Sequence, residues 1–274
     1  GYGTNTKRSL ISSVSTVDAS EIKNIPVTNI TQGLAGRSPG LIVQASGGGV
    51  NKTSQISIRG GETPLVVIDG IIRAYNDFVA LSPDDIENLA ILKDASATAV
   101  YGSRAANGIL QVTTKRGKLG SKPMVEYNFN QSFSQPNIWP KKLNSYDRAY
   151  YMNFAAKSDG LSTLPFSDDD LNKFKDGSDP FGHADVDWQS LVLKDYAPQQ
   201  KHNIKMSGGS ETNNYFVALG YIDQGSLYRN DSHEMQRTNF RLNQSSVVKA
   251  IGLKTTAQID GYVQETTHPY TSTS

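Results

Sequence analysis

The sequence contains no cysteine, and this absence excludes both a disulfide framework and thiol catalysis, although it does not fix the compartment. Neither sign of charge predominates, since 27 Lys and Arg face 26 Asp and Glu, so no strong field points to nucleic acid as a partner. No run of about 18 apolar residues is present, which argues against a transmembrane helix. A transmembrane β-barrel would escape such a scan, because only every second residue of its strands faces lipid.

Motifs for catalysis and for metal binding are also missing. The histidines His183, His202, His233 and His268 are scattered along the chain without the spacing of metal ligands. Residues 47–53 (GGGVNKT) lack the glycine that precedes lysine in a phosphate-binding loop. Neither a G-x-S-x-G nor an H-E-x-x-H motif occurs. We therefore expect no enzymatic activity, no catalytic residue, no cofactor and no metal.

Two acidic motifs invite interpretation as glycosidase carboxylates, but local structure explains both more simply. Asp69-Gly70 follows a short apolar run and is typical of a turn that closes a buried strand. Ser82-Pro83-Asp84-Asp85 has the order of a helix start, with a capping serine, a proline at the first helical position and acids in the first turn. The sequence thus predicts purely local roles for Asp69, Asp84 and Asp85.

The most distinctive segment is Glu87–Lys118, which combines a short apolar run, a turn rich in small residues, an alternating strand and a basic stop. Its glycines and small residues favour close packing of backbone rather than a catalytic pocket. Residues 92–108 (LKDASATAVYGSRAANG), followed by a strand and TTKRGK, resemble the end of the plug domain of TonB-dependent outer-membrane receptors, especially the SusC/RagA-like branch of Bacteroidota. Four other segments resemble that branch in the same order: residues 1–4 (GYGT, directly after its TonB box), 34–41 (LAGRSPGL), 56–61 (ISIRGG) and 64–70 (PLVVIDG).

Beyond Lys118 the sequence alternates with a period of two residues in about five segments, which is typical of β-strands. We expect the polar residues Glu126, Asn128, Arg237 and Arg241 to face a lumen or a plug. On the opposite face we expect four aromatic residues to point outward, namely Tyr127, Phe129, Tyr215 and Tyr221.

Alternation alone does not distinguish a barrel wall from a soluble antiparallel sandwich. The connection lengths favour the wall, because residues 208–213 and 244–248 are short connections whereas 134–200 and 223–236 are long. Long loops on one side and short turns on the other are expected of an outer-membrane barrel.

The long first connection has the sequence signals of short helices. Ser145 is placed to cap a helix over Tyr146–Lys157, Ser167 with Asp170 forms a capping-box pattern, and Asp187 precedes another apolar turn. The acids of this stretch could suggest calcium, but the spacing of an EF-hand loop is absent, so helix capping is the preferred interpretation.

The resemblance implies the architecture. Residues 1–118 would form a mixed α/β plug domain with strands near Ile56–Arg59, Leu65–Asp69, Leu89–Leu92 and Ile109–Thr114. Residues 119–274 would form the N-terminal strands of a transmembrane antiparallel β-barrel, which closes at roughly 22 strands in plugged transporters. The chain would then be the opening segment of a longer protein.

The resemblance also implies the function, which is import of large nutrients, glycan or peptide, across the cell outer membrane. TonB would pull the segment next to Gly1, Tyr2, Gly3 and Thr4, which should be extended, with the plug on the periplasmic side. A SusD-like surface lipoprotein would deliver the substrate, and outer-membrane lipid would surround the barrel. The alternative is a SusC-like barrel that serves as a structural subunit of a larger outer-membrane assembly.

Two arginines receive a specific role from the resemblance. Arg59 and Arg104 occupy motif positions at which family members pair with glutamates of the barrel wall, so we expect a plug–barrel lock whose acidic partners lie beyond Ser274. The alternative from residue chemistry alone is that both are solvated turn residues.

Overall fold

The computed structural model describes residues 14–18, 30–93 and 99–268, which divide into two compact units. The first unit takes the described residues up to Ser134, Ala197–Ser226 and the described residues from Asp231 onward. The second takes Gln135–Tyr196 and Leu227–Asn230. No helix in the described ranges combines the length and the apolar character that spanning a membrane requires.

Seven short strands build the N-terminal part of the first unit. They are β1 Val14–Asp18, β2 Leu41–Gln44, β3 Gln55–Ile58, β4 Leu65–Ile68, β5 Ile71–Arg73, β6 Ile86–Leu92 and β7 Ile109–Thr114. Five of them form a mixed sheet in the order β1-β6-β7-β4-β5, in which β4 and β7 are parallel, and β2 pairs with β3 separately. Helices α1 Ile30–Gly33 and α2 Tyr75–Ala80 and the 3₁₀ turns Pro83–Asp85 and Ala99–Ala105 complete this plug-like domain.

The core of the plug-like domain lies between this sheet and the helices. Val67 of β4, Leu89 of β6 and Ile109 of β7 are fully buried, because each of these central strands has sheet neighbours on both sides. Phe78 of α2 and Leu34, which directly follows α1, are equally buried and share a cluster with Leu89. Val67 and Ile109 belong to a second, smaller cluster with Leu92 and Ala105. The apolar residues of the motifs therefore serve packing.

The four strands predicted in this domain are confirmed as β3, β4, β6 and β7, with β6 beginning at Ile86 instead of Leu89. Strands β1, β2 and β5 were not predicted. They are short, and β5 exposes about half of Ile71, so none shows the regular alternation or the continuous burial that identifies a strand in sequence.

Five long strands form a second sheet, which we call the wall sheet. They are β8 Met124–Ser134, β9 Ala197–Gly209, β10 Asn213–Gln224, β11 Glu234–Val248 and β12 Leu253–Thr267. Each strand pairs antiparallel with its neighbour in sequence, giving the order β12-β11-β10-β9-β8. The predicted period of two residues is confirmed, and the sheet has one face buried against the plug-like domain (the inward face) and one exposed face (the outward face).

The predicted side-chain directions hold in the structure. Arg237 and Arg241 are buried on the inward face, where 2% and 3% of each residue is accessible. Tyr127 and Phe129 lie on the outward face, and more than half of each residue is exposed. One boundary was wrong, because β11 continues through Val248 and the short turn falls at residues 249–252. The alternation of side chains persists through residues 244–248, which the sequence analysis predicts to be a short connection.

The second unit contains the helices of the long connection, α3 Ser145–Ser158, α4 Asp168–Asp176 and α5 Trp188–Val192. The capping box of Ser167 with Asp170 and the cap at Asp187 are confirmed. The first cap is shifted by one residue, since the Asn144 side chain accepts the Asp147 N–H and Ser145 is already helical. An asparagine side chain satisfies the free N–H groups of a helix start as well as a serine does.

A histidine holds the turn after α4 in this unit. His183 Nδ1 lies 2.8 Å from Asp179 Oδ2, and its Nε2 lies 2.9 Å from Asp170 Oδ1. The ring also packs edge-on against Phe174 at 4.9 Å between centroids. The hydrogen bond that the ring donates to Asp170, and after it the one that it donates to Asp179, raise the pKa of the His183 imidazole above its usual range. Because both ring nitrogens face carboxylates, the protonated form is favoured.

Candidate functional site

The inward face of the wall sheet carries polar side chains that are nearly inaccessible. Asn203, Lys205, Arg237, Arg241 and Asn243 are all at most 5% exposed. A buried charge is tolerated only when another group compensates it. The identity of the groups that face these cations therefore defines the candidate site.

Asp84 compensates two of the wall cations. Its carboxylate lies 2.8 Å from Lys201 Nζ and 3.5 Å from Lys205 Nζ, and its side chain is 6% exposed. The 3₁₀ turn Pro83–Asp85 directs this side chain toward β9, while the backbone carbonyl of Asp84 accepts a 2.8 Å hydrogen bond from Lys115. One carboxylate thus neutralises two lysines that stand four residues apart on one strand.

Arg241 lies among three carboxylates at longer range. Its guanidinium is 3.9 Å from Asp69, 3.9 Å from Asp85 and 3.8 Å from Asp260. These distances exceed hydrogen-bonding range, so the attraction is Coulombic. Burial raises the pKa of the Asp85 carboxyl, and the positive charge of Arg241 partly offsets that rise.

Asp69 is the most enclosed of the acids, with 1% of its side chain accessible. It accepts hydrogen bonds from the backbone and the hydroxyl of Thr114 and, at 2.7 Å, from Gln258 of β12. Its backbone is left-handed, with φ of 49°, a conformation that Asp tolerates better than most residues. The turn that closes β4 therefore also delivers a carboxylate to the wall sheet.

We call Asp69, Asp84 and Asp85 of the plug-like domain, with Lys201, Lys205 and Arg241 of the wall sheet, the ionic seat. A pair of opposite polarity lies beside it, because Arg73 of β5 reaches Asp260 of β12 at 3.0 Å.

Neutral groups extend this contact between the two sheets. Asn239 donates to the carbonyl of Ala80, and Asn243 donates to Thr114 Oγ1 at 3.0 Å and to the Lys115 carbonyl at 2.8 Å. Two amide side chains that stand four residues apart on β11 thereby bind backbone carbonyls and one hydroxyl of the plug-like domain.

The backbone of the segment between the two sheets passes very close to the β9–β10 turn, and this restricts which residue can stand there. A Cβ atom at Gly117 would lie 2.2 Å from the carbonyl oxygen of Tyr215 and 2.6 Å from that of Gly208. No side chain fits at these distances, since they are far below van der Waals contact. Glycine is therefore required where the chain passes the β9–β10 turn, which explains part of the basic stop TTKRGK.

Comparison with known proteins identifies the arrangement. Residues 6–109 match the family described as TonB-dependent Receptor Plug Domain. The TonB-dependent receptor SusC of Bacteroides thetaiotaomicron is 34% identical over 260 residues, and TonB-dependent receptor P26 of Formosa agariphila is 33% identical over 276 residues. These alignments cover 90% and 92% of this chain. The chain belongs to the SusC/RagA-like family of TonB-dependent receptors.

The solved structures agree with this family. A chain of the RagAB peptide importer in its open-open state superposes with a TM-score of 0.78 at 26% identity, over 97% of this chain and 32% of the other. The chain spans about a quarter of the length of its curated relatives, 27% of P26 and 23% of SusC. The predicted fold is confirmed as a plug-like α/β domain followed by the N-terminal strands of the receptor wall.

The structure confirms the local order predicted for residues 82–85 and adds a tertiary role that the sequence interpretation missed. Ser82 is the N-cap residue, although it makes no side-chain cap bond, and Pro83 begins the 3₁₀ turn. Asp84 and Asp85 lie in its first turn and are also buried ion-pair partners. Part of the signal was present in the second half of this chain, because Arg237 and Arg241, which were predicted to face inward, required acidic partners. Which acids in the first half of the chain would supply these partners could not be predicted from the sequence.

The structure does not test the predicted plug–barrel lock. Arg59 and Arg104 are exposed in this part of the receptor, and Arg59 directly follows β3 with a left-handed φ of 55°. Glutamate partners were expected beyond Ser274, so the lock stays a prediction. The TonB-proximal residues Gly1, Tyr2, Gly3 and Thr4 lie outside the described residues. In the described ranges no group of three or more His, Cys, Asp or Glu side chains is arranged to hold a metal ion.

Proposed function

We propose that residues 1–118 are the plug and residues 119–274 the first wall strands of a TonB-dependent importer in the outer membrane, with the plug on the periplasmic side. The observation that carries this proposal is the ionic seat, in which Asp84 and Arg241 join the plug-like domain to the wall sheet through buried charges. Membership of the receptor family supports the same role.

The seat suits a plug that must hold and also move. Its tight contact is the 2.8 Å pair of Asp84 with Lys201, whereas the contacts of Arg241 are 3.8–3.9 Å long. Long ion pairs are individually weak, and charged groups are readily rehydrated when they separate. Such a surface can part and re-form without exposing a large apolar core.

We further propose that the substrate is a large nutrient, glycan or peptide, delivered by a SusD-like surface lipoprotein. The similarity to a chain of the RagAB peptide importer supports import of a large solute. TonB would engage the chain beside Gly1–Thr4 by adding it as an edge strand, a mode in which backbone hydrogen bonds provide affinity.

The energy-coupling step is tested in the full-length receptor by deleting the residues that precede Gly1. We expect uptake of labelled oligosaccharide or peptide to be abolished while surface binding and the amount of receptor in the membrane are unchanged. Uptake that survives the deletion would overturn TonB-driven import and favour the alternative, a structural subunit of an outer-membrane assembly.

The proposed lock is tested separately at Arg59 and Arg104. Replacement of either by Ala should loosen the plug and admit small solutes without unfolding the wall, at about 3–5 kcal/mol if the partner pair is buried. The matched Arg→Lys variants keep the charge but lose the bidentate geometry, so they should leak less. Leakage equal to that of the unmodified receptor in both Ala variants would reject the lock.

A further inference from the structure

A lysine directly after β6 joins two segments of the plug-like domain that are distant in the chain. The Lys93 ammonium donates to Ser15 Oγ of β1 at 2.8 Å, to Ser38 Oγ at 3.3 Å and to the carbonyl oxygen of Pro39. An ammonium carries three N–H groups and no acceptor, so these three oxygens match its donors in number. We call Lys93, Ser15, Ser38 and Pro39 the lysine clasp.

Strand β1, which the clasp holds, is short and contributes little to the core. It is five residues long and lies at the edge of the plug-like sheet, where it pairs with β6. Val17 is buried, with 1% of the residue accessible, whereas Thr16 and Asp18 are exposed. An edge strand has a sheet neighbour on one side, so it is among the elements that separate most readily.

The clasp stands at the end of β1 that faces the N-terminus of the chain. Val14 pairs with Leu92, so the beginning of β1 lies beside the end of β6, directly before Lys93. Val14 is the thirteenth residue after Gly1. A pull on the chain ahead of Gly1 therefore reaches β1 next to the clasp, before it reaches Val17 and the core.

The other side of the clasp is a firmly held turn. Ser38 is buried, with 6% of the residue accessible, and the turn continues through Gly40, whose carbonyl accepts the Arg59 N–H at 2.8 Å. Leu41 then begins β2 and pairs with Ile58 of β3. The ammonium thus fastens an edge strand to a turn that is itself tied to the β2–β3 pair.

We propose that Lys93 is a positioning residue that keeps β1 on the sheet and bears the first load when the N-terminal segment is pulled. This rests on the proposed import by TonB, and it adds the residue that sets the force needed for the first movement of the plug. An ammonium suits the task because its hydrogen bonds are charge-assisted, while its partly buried position lets water replace its partners. The clasp can therefore open and re-form without any covalent change.

The first test measures the opening of β1 in the full-length receptor in lipid vesicles, by amide hydrogen exchange of peptides that cover Val14–Asp18. Lys93→Met keeps the length of the side chain and removes its donors. Loss of a hydrogen bond to a charged group corresponds to about a 10- to 150-fold change, and the partial exposure of the clasp places the expected acceleration at about tenfold. Lys122→Met, which removes an exposed lysine just before β8, is the matched control and should leave exchange of β1 unchanged.

Ser15→Ala cuts the same hydrogen bond from the strand side, so it should accelerate exchange as much as Lys93→Met does. The double variant should match the single variants within about twofold, because the bond is lost only once. If the effects of the two substitutions multiplied instead, Ser15 and Lys93 would stabilise β1 independently and the clasp would be rejected. Exchange at the unmodified rate in both single variants would reject it equally.

The second test pulls on the receptor directly. A tag placed ahead of Gly1 is lifted by the tip of a force microscope while the full-length receptor is held in a lipid bilayer, and the force of the first rupture is recorded. We expect a lower first rupture force in Lys93→Met and Ser15→Ala and an unchanged one in Lys122→Met. An unchanged force in both clasp variants would show that the load is borne elsewhere and would overturn the proposal.

Both measurements are made without TonB, so they decide the role of the clasp by themselves. Uptake after deletion of the residues that precede Gly1 decides the proposed function separately.

Discussion

Replacement of Asp84 by Asn removes the charge that holds the ionic seat together while nearly preserving the shape of the side chain. The carboxylate is shared by Lys201 at 2.8 Å and Lys205 at 3.5 Å; Lys205 is buried and Lys201 is mostly enclosed, with 5% and 13% of their side chains accessible. The variant leaves two ammonium groups enclosed without their main counter-charge. Lys205 retains a 3.5 Å contact with Glu126, a side chain that is 40% exposed.

Breaking a buried ion pair by removing one partner destabilises by about 3–5 kcal/mol. The residual contact of Lys205 and the partial access of water to Lys201 place the expected value near the lower end, at about 3 kcal/mol, which is roughly a 100- to 200-fold shift in the equilibrium between seated and released plug. Adding Lys201→Met to Asp84→Asn removes one stranded charge, so we expect the double variant to recover about 0.5–3 kcal/mol.

The assay is the ion conductance of the full-length receptor in a planar bilayer as the urea concentration increases, since a released plug opens a conducting path. Glu87→Gln is the matched control, because Glu87 is an exposed acid on β6, close in sequence to the seat, and surface substitutions usually change stability by less than about 0.5 kcal/mol. Assembly of the wall is monitored by its resistance to unfolding in detergent. If Asp84→Asn opened at the same urea concentration as Glu87→Gln, the seat would have no energetic role.

Further predictions concern the crossing, the outward face and the second unit. Gly117→Ala should impair seating as severely as Asp84→Asn, because its Cβ collides with backbone, and the same conductance assay measures it. Leu219→Arg should lower wall stability by about 2–4 kcal/mol, whereas Gln236→Arg should change it by about 0–1 kcal/mol, and urea unfolding in lipid vesicles distinguishes the two. The pKa of His183 is raised, chiefly by its hydrogen bond to an aspartate, so the stability of its turn is fully present below the unfolded value of about 6.5 and is lost as the pH rises through the folded value. Amide exchange of residues 179–183, corrected for intrinsic rates, should therefore accelerate as the pH rises above about 6.5. His183→Asn should exchange fast at every pH, and a flat profile in the unmodified receptor would contradict this reasoning.

The wall sheet was the part of the fold most accessible from the sequence. Side chains of opposite character alternate over a dozen residues in strands such as β10, and burial on one face imposes that pattern directly. The plug-like domain was predictable where strands are central and continuously apolar, as in β4 and β7. Strand β1 escaped because its place at the sheet edge depends on β6, far away in the chain.

Only the wall-sheet residues of the candidate site were predictable from the sequence; their acidic partners in the plug-like domain were not. The inward direction of Arg241 follows from the alternation of β11 alone. Its partners Asp69 and Asp85 carry equally good local explanations as turn and helix-start residues, and nothing in the neighbouring sequence separates a solvated acid from a buried one. That distinction is created by tertiary packing between segments more than 150 residues apart, which no local pattern encodes.

The order of the strands in the plug-like sheet has a consequence for how the chain acquires its structure. Val14 of β1 pairs with Leu92 of β6, so this pairing closes a long loop, whereas strands β10, β11 and β12 each pair with the strand just before them across a much shorter connection. Pairings between distant segments form slowly because the entropy of loop closure must be overcome first. A rearranged chain that carries β1 directly after β7, with a flexible linker leading on to β8, would bring β1 close in sequence to its partner β6. We expect that rearranged chain to refold faster while it keeps every side-chain contact of the ionic seat.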